Sequence, residues 1–149
     1  MAIIREEISN SKLQQLLPPV VINVDKEDIR PVNLSGFNST SFLISVGASG
    51  VELNDDRHLQ IKLQHSDEEG TNFHDCEDKE VIRTSGESRN AMSVKADELN
   101  QAFMVGYVGH KNYVKPVITA VGDLEEQGVL IAIIAMLYGT KYKPVSTAE

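Results

Sequence analysis

Alternating apolar and polar residues predict several short β-strands along the chain. The clearest case is RHLQIKLQH at residues 57–65, where an apolar face that includes Ile61 alternates with a polar face that includes Gln60. The stretches TSFLISVG at 40–47 and VVINV at 20–24 repeat this period of two. We therefore expect the apolar face of each strand, and Ile61 with it, to line a common core.

The most apolar stretch of the chain is VLIAIIAMLY at residues 129–138. Its ten residues fall well short of the roughly 20 that a membrane-spanning helix needs, so contact with a membrane is not predicted. Gly128 and Gly139 bracket it, and its branched side chains favour a strand. Because nearly every position is apolar, we expect a central strand covered on both faces, with Ile134 fully buried.

Short strands separated by turn sequences, with hardly any helical periodicity, predict an all-β fold: an antiparallel β-sandwich or a barrel-like domain. The segment SNSKLQQLLPP at residues 9–19 predicts a short helix or an arm ahead of this body, because two prolines end it. Residues 84–101 are polar and predict a long exposed connection. The predicted organisation is an N-terminal arm at 1–19, a single β-sandwich domain at 20–143 and a flexible tail at 144–149.

Composition and charge narrow the classes of partner. The 149 residues include 22 acidic and 14 basic side chains, and the formal net charge of -8 disfavours binding to free nucleic acid. The single cysteine, Cys76, cannot form an internal disulfide, which favours a cytoplasmic origin. Glu6 and Glu7 interrupt the region in which a signal peptide would be apolar, so export is not predicted.

Candidate metal ligands concentrate in HSDEEGTNFHDCEDKE at residues 65–80. Its seven carboxylates are of the type that calcium prefers, but the alternating Asp and Asn positions of an EF-hand loop are missing. His65, His74 and Cys76 give one short His-x-Cys pair and a distant histidine, which is weak support for zinc. We interpret the segment as a solvated hairpin tip and predict neither a metal site nor a cofactor.

The sequence contains no convincing catalytic nucleophile. Ser49 lies in GASG, which lacks the glycine spacing of a nucleophile elbow and is typical of a turn. Cys76 lies between Asp75 and Glu77, whose charges disfavour the thiolate that catalysis needs. We therefore expect a protein that is not an enzyme, with no catalytic residues.

The stretch GYVGHKNYVKPVITAVG at residues 106–122 combines two closely spaced glycines with a strand-forming run. Gly106 and Gly109 allow a tight turn or a bulge, so the pattern predicts a β-hairpin. Two interpretations of Tyr107 and Tyr113 stay open. Each ring is buried with its hydroxyl in water, or each tyrosine anchors an interface with another protein.

The same stretch resembles a family of small structural proteins encoded among the head genes of tailed bacteriophages and prophages. The resemblance includes LQIKLQHSDEEGTNF at 59–73 and GVLIAIIAMLYG at 128–139, and it covers residues 59–137. Its motifs are a serine-acid-acid-glycine turn after one strand and a Gly-Tyr-Val-Gly turn before an aromatic-valine-basic strand. Asn112 stands where the family pattern has a basic residue, and Lys115 stands where it has arginine.

The resemblance implies a virion protein that decorates or stabilises the capsid head through protein–protein contacts. The implied partners are the major capsid protein and neighbouring copies of the chain, as in a homo-oligomer, with assembly in the host cytoplasm and a final place on the head surface. A tail or head–tail joining protein is the alternative within this class. A carbohydrate-binding β-sandwich for host attachment is disfavoured, because the chain has no tryptophan and only 5% aromatic residues. The candidate residues of the interface are Ile3, Ile4, Ile8, Leu13, Leu16, Leu17, Tyr107, His110, Lys111, Tyr113 and Lys115.

Overall fold

The computed structural model describes residues 11–83 and 89–140, and this part of the chain folds into two antiparallel β-sheets. The predicted all-β, sandwich-like fold is confirmed. Two short 3₁₀ turns, Asp78–Glu80 and Ala96–Glu98, are the helical segments of the described residues, and neither has the length or apolar character to span a membrane. The strands are β1 (Ser11–Ile22), β2 (Val32–Asn33), β3 (Phe37–Ser49), β4 (His58–Ser66), β5 (His74–Asp75), β6 (Val81–Arg83), β7 (Met92–Val94), β8 (Gln101–Tyr107), β9 (Tyr113–Val121) and β10 (Val129–Thr140).

The two sheets are built from strands that are distant in the sequence. Sheet A has the strand order β1-β10-β3-β8-β6, and sheet B has the order β2-β9-β4-β5, with β7 also paired to β4. Every pairing between these strands is antiparallel. Sheet A has the longest strands, and two of them, β3 and β10, lie next to each other inside the sheet.

The hydrophobic core consists of the inward-facing side chains of both sheets. Sheet A contributes Phe42 and Ile44, which are 0% and 1% exposed, and sheet B contributes Leu59 and Ile61, at 0% and 2%. The predicted burial of Ile61 is therefore confirmed. The period of two places these side chains inside because alternate residues of a strand point to opposite faces of the sheet.

The prediction that the strand at 129–138 is covered on both faces was wrong. In β10, Ile131, Ile133 and Ala135 are fully buried, whereas the alternate residue Ile134 is only half-buried. β10 is central within sheet A, but one face of that sheet points away from sheet B. Full burial of an apolar strand requires a layer on each side, and within the described residues sheet A has one.

Residues 11–19 form neither a helix nor an arm. They belong to β1, which pairs with β10 from Ser11 opposite Tyr138 to Ile22 opposite Val129. The strand has register shifts on both sides of Leu17, and prolines are tolerated at such an irregular sheet edge. The predicted boundary at 19 therefore falls inside a strand. Residues 1–10 and the predicted tail at 144–149 lie outside the described residues.

The described part of the predicted exposed connection is anchored to the core. Met92 and Val94 of β7 are buried and pair with β4. Asn90 is also buried, and its side-chain Oδ1 accepts a hydrogen bond from the Leu63 N–H at 2.7 Å. Its Nδ2 donates to the carbonyl oxygens of Leu63 and Cys76. One amide side chain thereby ties β4 to the segment after β5 and supplies a partner for the buried Leu63 N–H.

Candidate functional site

Residues 106–122 do not form the predicted hairpin. β8 ends at Tyr107 in sheet A, and β9 begins at Tyr113 in sheet B, so residues 108–112 cross from one sheet to the other. Alternation along the chain identifies each strand but carries no information about which strand it pairs with. The crossing brings a group of polar side chains together at one end of the two sheets.

Tyr107 joins the two sheets at this crossing. Its hydroxyl oxygen accepts a hydrogen bond from the backbone N–H of Lys111 at 3.0 Å, and the hydroxyl is also hydrogen-bonded to His65 Nδ1 at 2.8 Å. His65 belongs to β4 of sheet B, and the two rings meet edge to face with centroids 5.7 Å apart. A Glu80 carboxylate oxygen lies 3.8 Å from the same imidazole nitrogen. Tyr107 is therefore buried and links the two layers. The interpretation of Tyr107 as the anchor of an interface with another protein was wrong.

The second glycine of the Gly-Tyr-Val-Gly motif is required by the packing of this link. A Cβ atom placed on Gly109 would overlap the hydroxyl end of the Tyr107 ring. The backbone must come this close for the Lys111 N–H, two residues later, to reach the hydroxyl. The second glycine of the motif thus has a structural reason in the packing of the crossing.

Burial at this crossing suppresses ionisation. It raises the pKa of the Tyr107 hydroxyl from 10.0 to about 12 and the pKa of the Cys76 thiol from 9.0 to about 12, with the charges of Glu80 and Asp75 also acting on the thiol. Cys76 is buried and stays protonated at neutral pH, so it lacks the character of a reactive nucleophile.

We expect folding stability to fall at alkaline pH, and replacement of Tyr107 by Phe to make this fall smaller. Tyr107 keeps its proton in the folded state to a higher pH than in the unfolded chain. Its contribution is therefore fully present below pH 10 and is lost as the pH rises through about 12. Urea unfolding at a series of pH values measures this loss.

At neutral pH, Tyr107→Phe should lower the free energy of unfolding by about 1 to 3 kcal/mol, because a buried hydrogen-bond partner of His65 and Lys111 is removed. Tyr113→Phe serves as the control, since Tyr113 is only half-buried. A Tyr107→Phe protein with the same alkaline loss as the unmodified chain would contradict the assignment.

A polar cleft of about 540 Å³ opens beside the crossing. Its ionic side chains are paired close to it: Asp75 accepts from Lys62 and Gln64, and Lys79 lies 3.1 Å from Glu77. Asp75 and Glu77 are thus each paired with a lysine, and Glu80 accepts a hydrogen bond from the backbone N–H of Glu77. The cleft is lined by His65, Asp75, Glu77, Lys79, Glu80, Val108, Gly109 and His110.

Residues 67–73 form the tip of the β4–β5 hairpin, as predicted, whereas the other four acidic residues of the segment lie in β5 or after it. Two carboxylates of the tip have donors nearby: the Asp67 carboxylate lies 2.8 Å from Lys111 Nζ, and Glu68 accepts hydrogen bonds from Thr71 and Asn72. In the described ranges, no group of three or more His, Cys, Asp or Glu side chains is arranged to hold a metal ion. The Asp67 and Glu68 carboxylates are thus satisfied by donors of the same chain.

The structure separates the predicted interface residues into different environments. Residues Ile3, Ile4 and Ile8 lie outside the described ranges. Leu17 is buried, Leu16 packs partly against the core, and Leu13 is 65% exposed on β1. The prediction that Leu17 belongs to a capsid or subunit interface was therefore wrong, because Leu17 lies in the core of its own chain.

The four remaining candidates lie at or near the crossing between the sheets. His110 and Lys111 are exposed, and the hydrogen bond to Asp67 raises the pKa of Lys111. Tyr113 is half-buried at the start of β9. Lys115 lies over the Phe73 ring at 4.7 Å and donates to the Glu27 carbonyl. These side chains are engaged locally and do not form a continuous surface with Leu13.

A continuous apolar surface lies elsewhere, on the outer face of sheet A. In one row across the sheet, Ile134 is opposite Leu43 of β3, which is in turn opposite Met104 of β8. In another row, Leu13 of β1 is opposite Met136. We define the outer face of sheet A by its larger apolar side chains, which are Leu13, Val21, Leu43, Ile82, Met104, Leu130, Ile134 and Met136.

The outer face of sheet A is uncharged in the described strands. Between its larger side chains lie small or neutral ones, such as Ser41, Ser45, Ala102 and Ala132. This contrasts with the whole chain, in which 24% of residues are charged. The outer face of sheet B carries Lys62 and other polar groups, as a solvated sheet face normally does.

Sequence reasoning did not find this surface, although a signal for it exists. β3, β8 and β10 have thirteen, seven and twelve residues, and none of these residues is charged. In a half-exposed strand the positions facing water are expected to include charged side chains. Three such strands therefore indicate a sheet face that is not simply solvated.

Comparison with known proteins gives no assignment: no protein-family model, no curated protein and no solved structure matches the chain.

Proposed function

We propose that this protein is a non-enzymatic structural protein that works through protein–protein contacts made by the outer face of sheet A. The observation that carries the proposal is the uncharged, apolar character of that face across all five strands of the sheet. Leu13, Val21, Leu130 and Ile82 expose 65%, 48%, 40% and 55% of their surface there. Contiguous exposed apolar surface of this kind is typical of a binding interface.

We further propose that the protein decorates or stabilises the capsid head of a tailed bacteriophage. The resemblance of residues 59–137 to small structural proteins that are encoded among phage head genes supports this proposal. Its partners would be the major capsid protein and neighbouring copies of the chain. A repeating shell offers many identical positions, so contacts that are weak individually give stable occupancy when neighbouring copies also touch one another.

Binding to heads tests the proposal. Purified heads that lack the protein are mixed with the unmodified chain and sedimented, and we expect the protein to sediment with the heads. The variant Leu13→Glu with Leu130→Glu should bind less, since it places two carboxylates on the outer face of sheet A. Both leucines are largely or partly exposed, so their replacement should leave the core intact.

The matched control is Val24→Glu with Val108→Glu. These valines are 65% and 48% exposed and lie outside the strands of both sheets, so the control adds the same charge away from the outer face. It should sediment with heads as the unmodified chain does. Absence of binding by the unmodified chain would refute head decoration, and binding to isolated tails would place the protein there instead.

A further inference from the structure

We infer that the outer face of sheet A binds the same face of a second copy of this chain, giving a symmetric, face-to-face dimer. The inference rests on the proposed function and names a second copy of the chain, among the proposed partners, as the occupant of this surface, so contacts with the capsid protein would use other surfaces of the dimer. In a two-fold interface the same patch serves both subunits, so its chemistry must be self-complementary. An uncharged apolar face meets this condition, because it opposes no charge to a like charge.

The size of the face matches that of a stable dimer interface. β3 and β10 have thirteen and twelve residues, which at about 3.3 Å per residue gives a length of about 40 Å. Five strands spaced by about 4.8 Å give a width of about 24 Å. Allowing for the shorter strands β6 and β8, each copy would bury roughly 700–900 Å². Specific interfaces bury about 800 Å² on each partner.

The distribution of charge also favours this occupant. Two copies with a formal charge of -8 each repel one another unless their acidic groups stay apart. The acidic tip extends from the β4–β5 hairpin of sheet B, on the far side of the core. In a face-to-face dimer, three sheet spacings of about 10 Å separate the B sheets of the two copies. This distance of roughly 30 Å exceeds the Debye length of about 8 Å at physiological salt, so the acidic tips are mostly screened from each other.

The large and small side chains on the outer face of sheet A are arranged so that those of two copies can interdigitate. The row of large side chains formed by Ile134, Leu43 and Met104 lies beside a row of small ones formed by Ala132, Ser45 and Ala102. A ridge therefore borders a groove. In stacked sheets the side chains of the two facing layers interdigitate, and a second copy related by two-fold symmetry would bring a matching ridge and groove.

Analytical ultracentrifugation of the full chain over a wide concentration range tests the inference. We expect a monomer–dimer equilibrium that the Leu13→Glu, Leu130→Glu variant weakens roughly tenfold or more, because the carboxylates would be buried against one another. The Val24→Glu, Val108→Glu control should dimerise as the unmodified chain does. Raising the salt from about 0.01 M to the physiological level should strengthen the dimer, since the Debye length of about 30 Å at 0.01 M leaves the repulsion between two acidic copies largely unscreened.

A strictly monomeric chain would overturn the inference, as would a dimer that both double variants form equally well. A chain that becomes dimeric only after residues 1–10 are deleted would also overturn it, because the face would then be covered by the chain's own N-terminal segment. The head-binding experiment distinguishes a failure of the inferred dimer from a failure of the proposed function. A monomer that still sediments with heads refutes only the dimer. A dimer that does not sediment with heads refutes only the proposed binding to the capsid head.

Discussion

A variant that lacks residues 1–18 is expected to lose the native fold. The deletion removes most of β1 and leaves the β10 edge without its partner. It also removes Leu17, which is 4% exposed within the core, and the loss of one such side chain costs about 2 to 5 kcal/mol. A domain is usually stable by only about 5 to 15 kcal/mol, so the remaining chain should be largely unfolded or aggregated. Circular dichroism and urea unfolding measure this outcome.

The control for this deletion is a variant that begins at Ser11. It keeps every described pairing of β1, from Ser11 opposite Tyr138 to Ile22 opposite Val129. We expect it to unfold at a urea concentration close to that of the full chain. A folded protein of unchanged stability after deletion of residues 1–18 would show that β1 is dispensable, as an arm ahead of the domain would be.

Much of the fold could be predicted from period-two alternation alone. Residues 57–65 and 40–47 were correctly assigned as strands, and Ile61, Phe42 and Ile44 were correctly placed in the core. These strands succeed because their two faces differ in polarity, which is a local property of the sequence. Residues 9–19 fail because a strand with two prolines and two register shifts has no clear alternation.

The features of the fold that could not be predicted are those that depend on which strands pair with one another. The stretch at 106–122 has the local signals of a hairpin, yet β8 and β9 belong to different sheets. The burial of Tyr107 follows from that crossing, because His65 of the other sheet supplies the partner for its hydroxyl. An interface anchor and a buried tyrosine have the same local sequence, so only the topology distinguishes them.

The candidate surface was missed for a related reason. The apolar residues at 129–138 predict burial on both faces, but the alternate positions of β10 define one buried face and one half-exposed face. An apolar strand is compatible with a second covering layer inside the same chain or with a partner outside it. The difference lies in what covers sheet A, which no single strand encodes.

Replacing Ile61 by Ala is expected to lower the free energy of unfolding by about 2 to 5 kcal/mol. Ile61 is 2% exposed and is opposite Ile118 of β9 and Met92 of β7, so the lost methyl groups leave a cavity among three strands. Gln60→Ala, on the other face of β4, should change stability by less than about 0.5 kcal/mol. Urea unfolding of both variants gives the comparison, and a larger loss for Gln60→Ala would contradict the assigned faces.

Ile134→Ala extends this test to the outer face of sheet A. In a dilute monomer its loss should stay below about 2 kcal/mol, because the half-buried side chain transfers less apolar surface out of water than Ile61 does. If a second copy covers the face, the loss should grow with protein concentration, since the dimer contributes to stability by mass action. Ile61→Ala should show no such growth, because its side chain contacts only its own chain in either state.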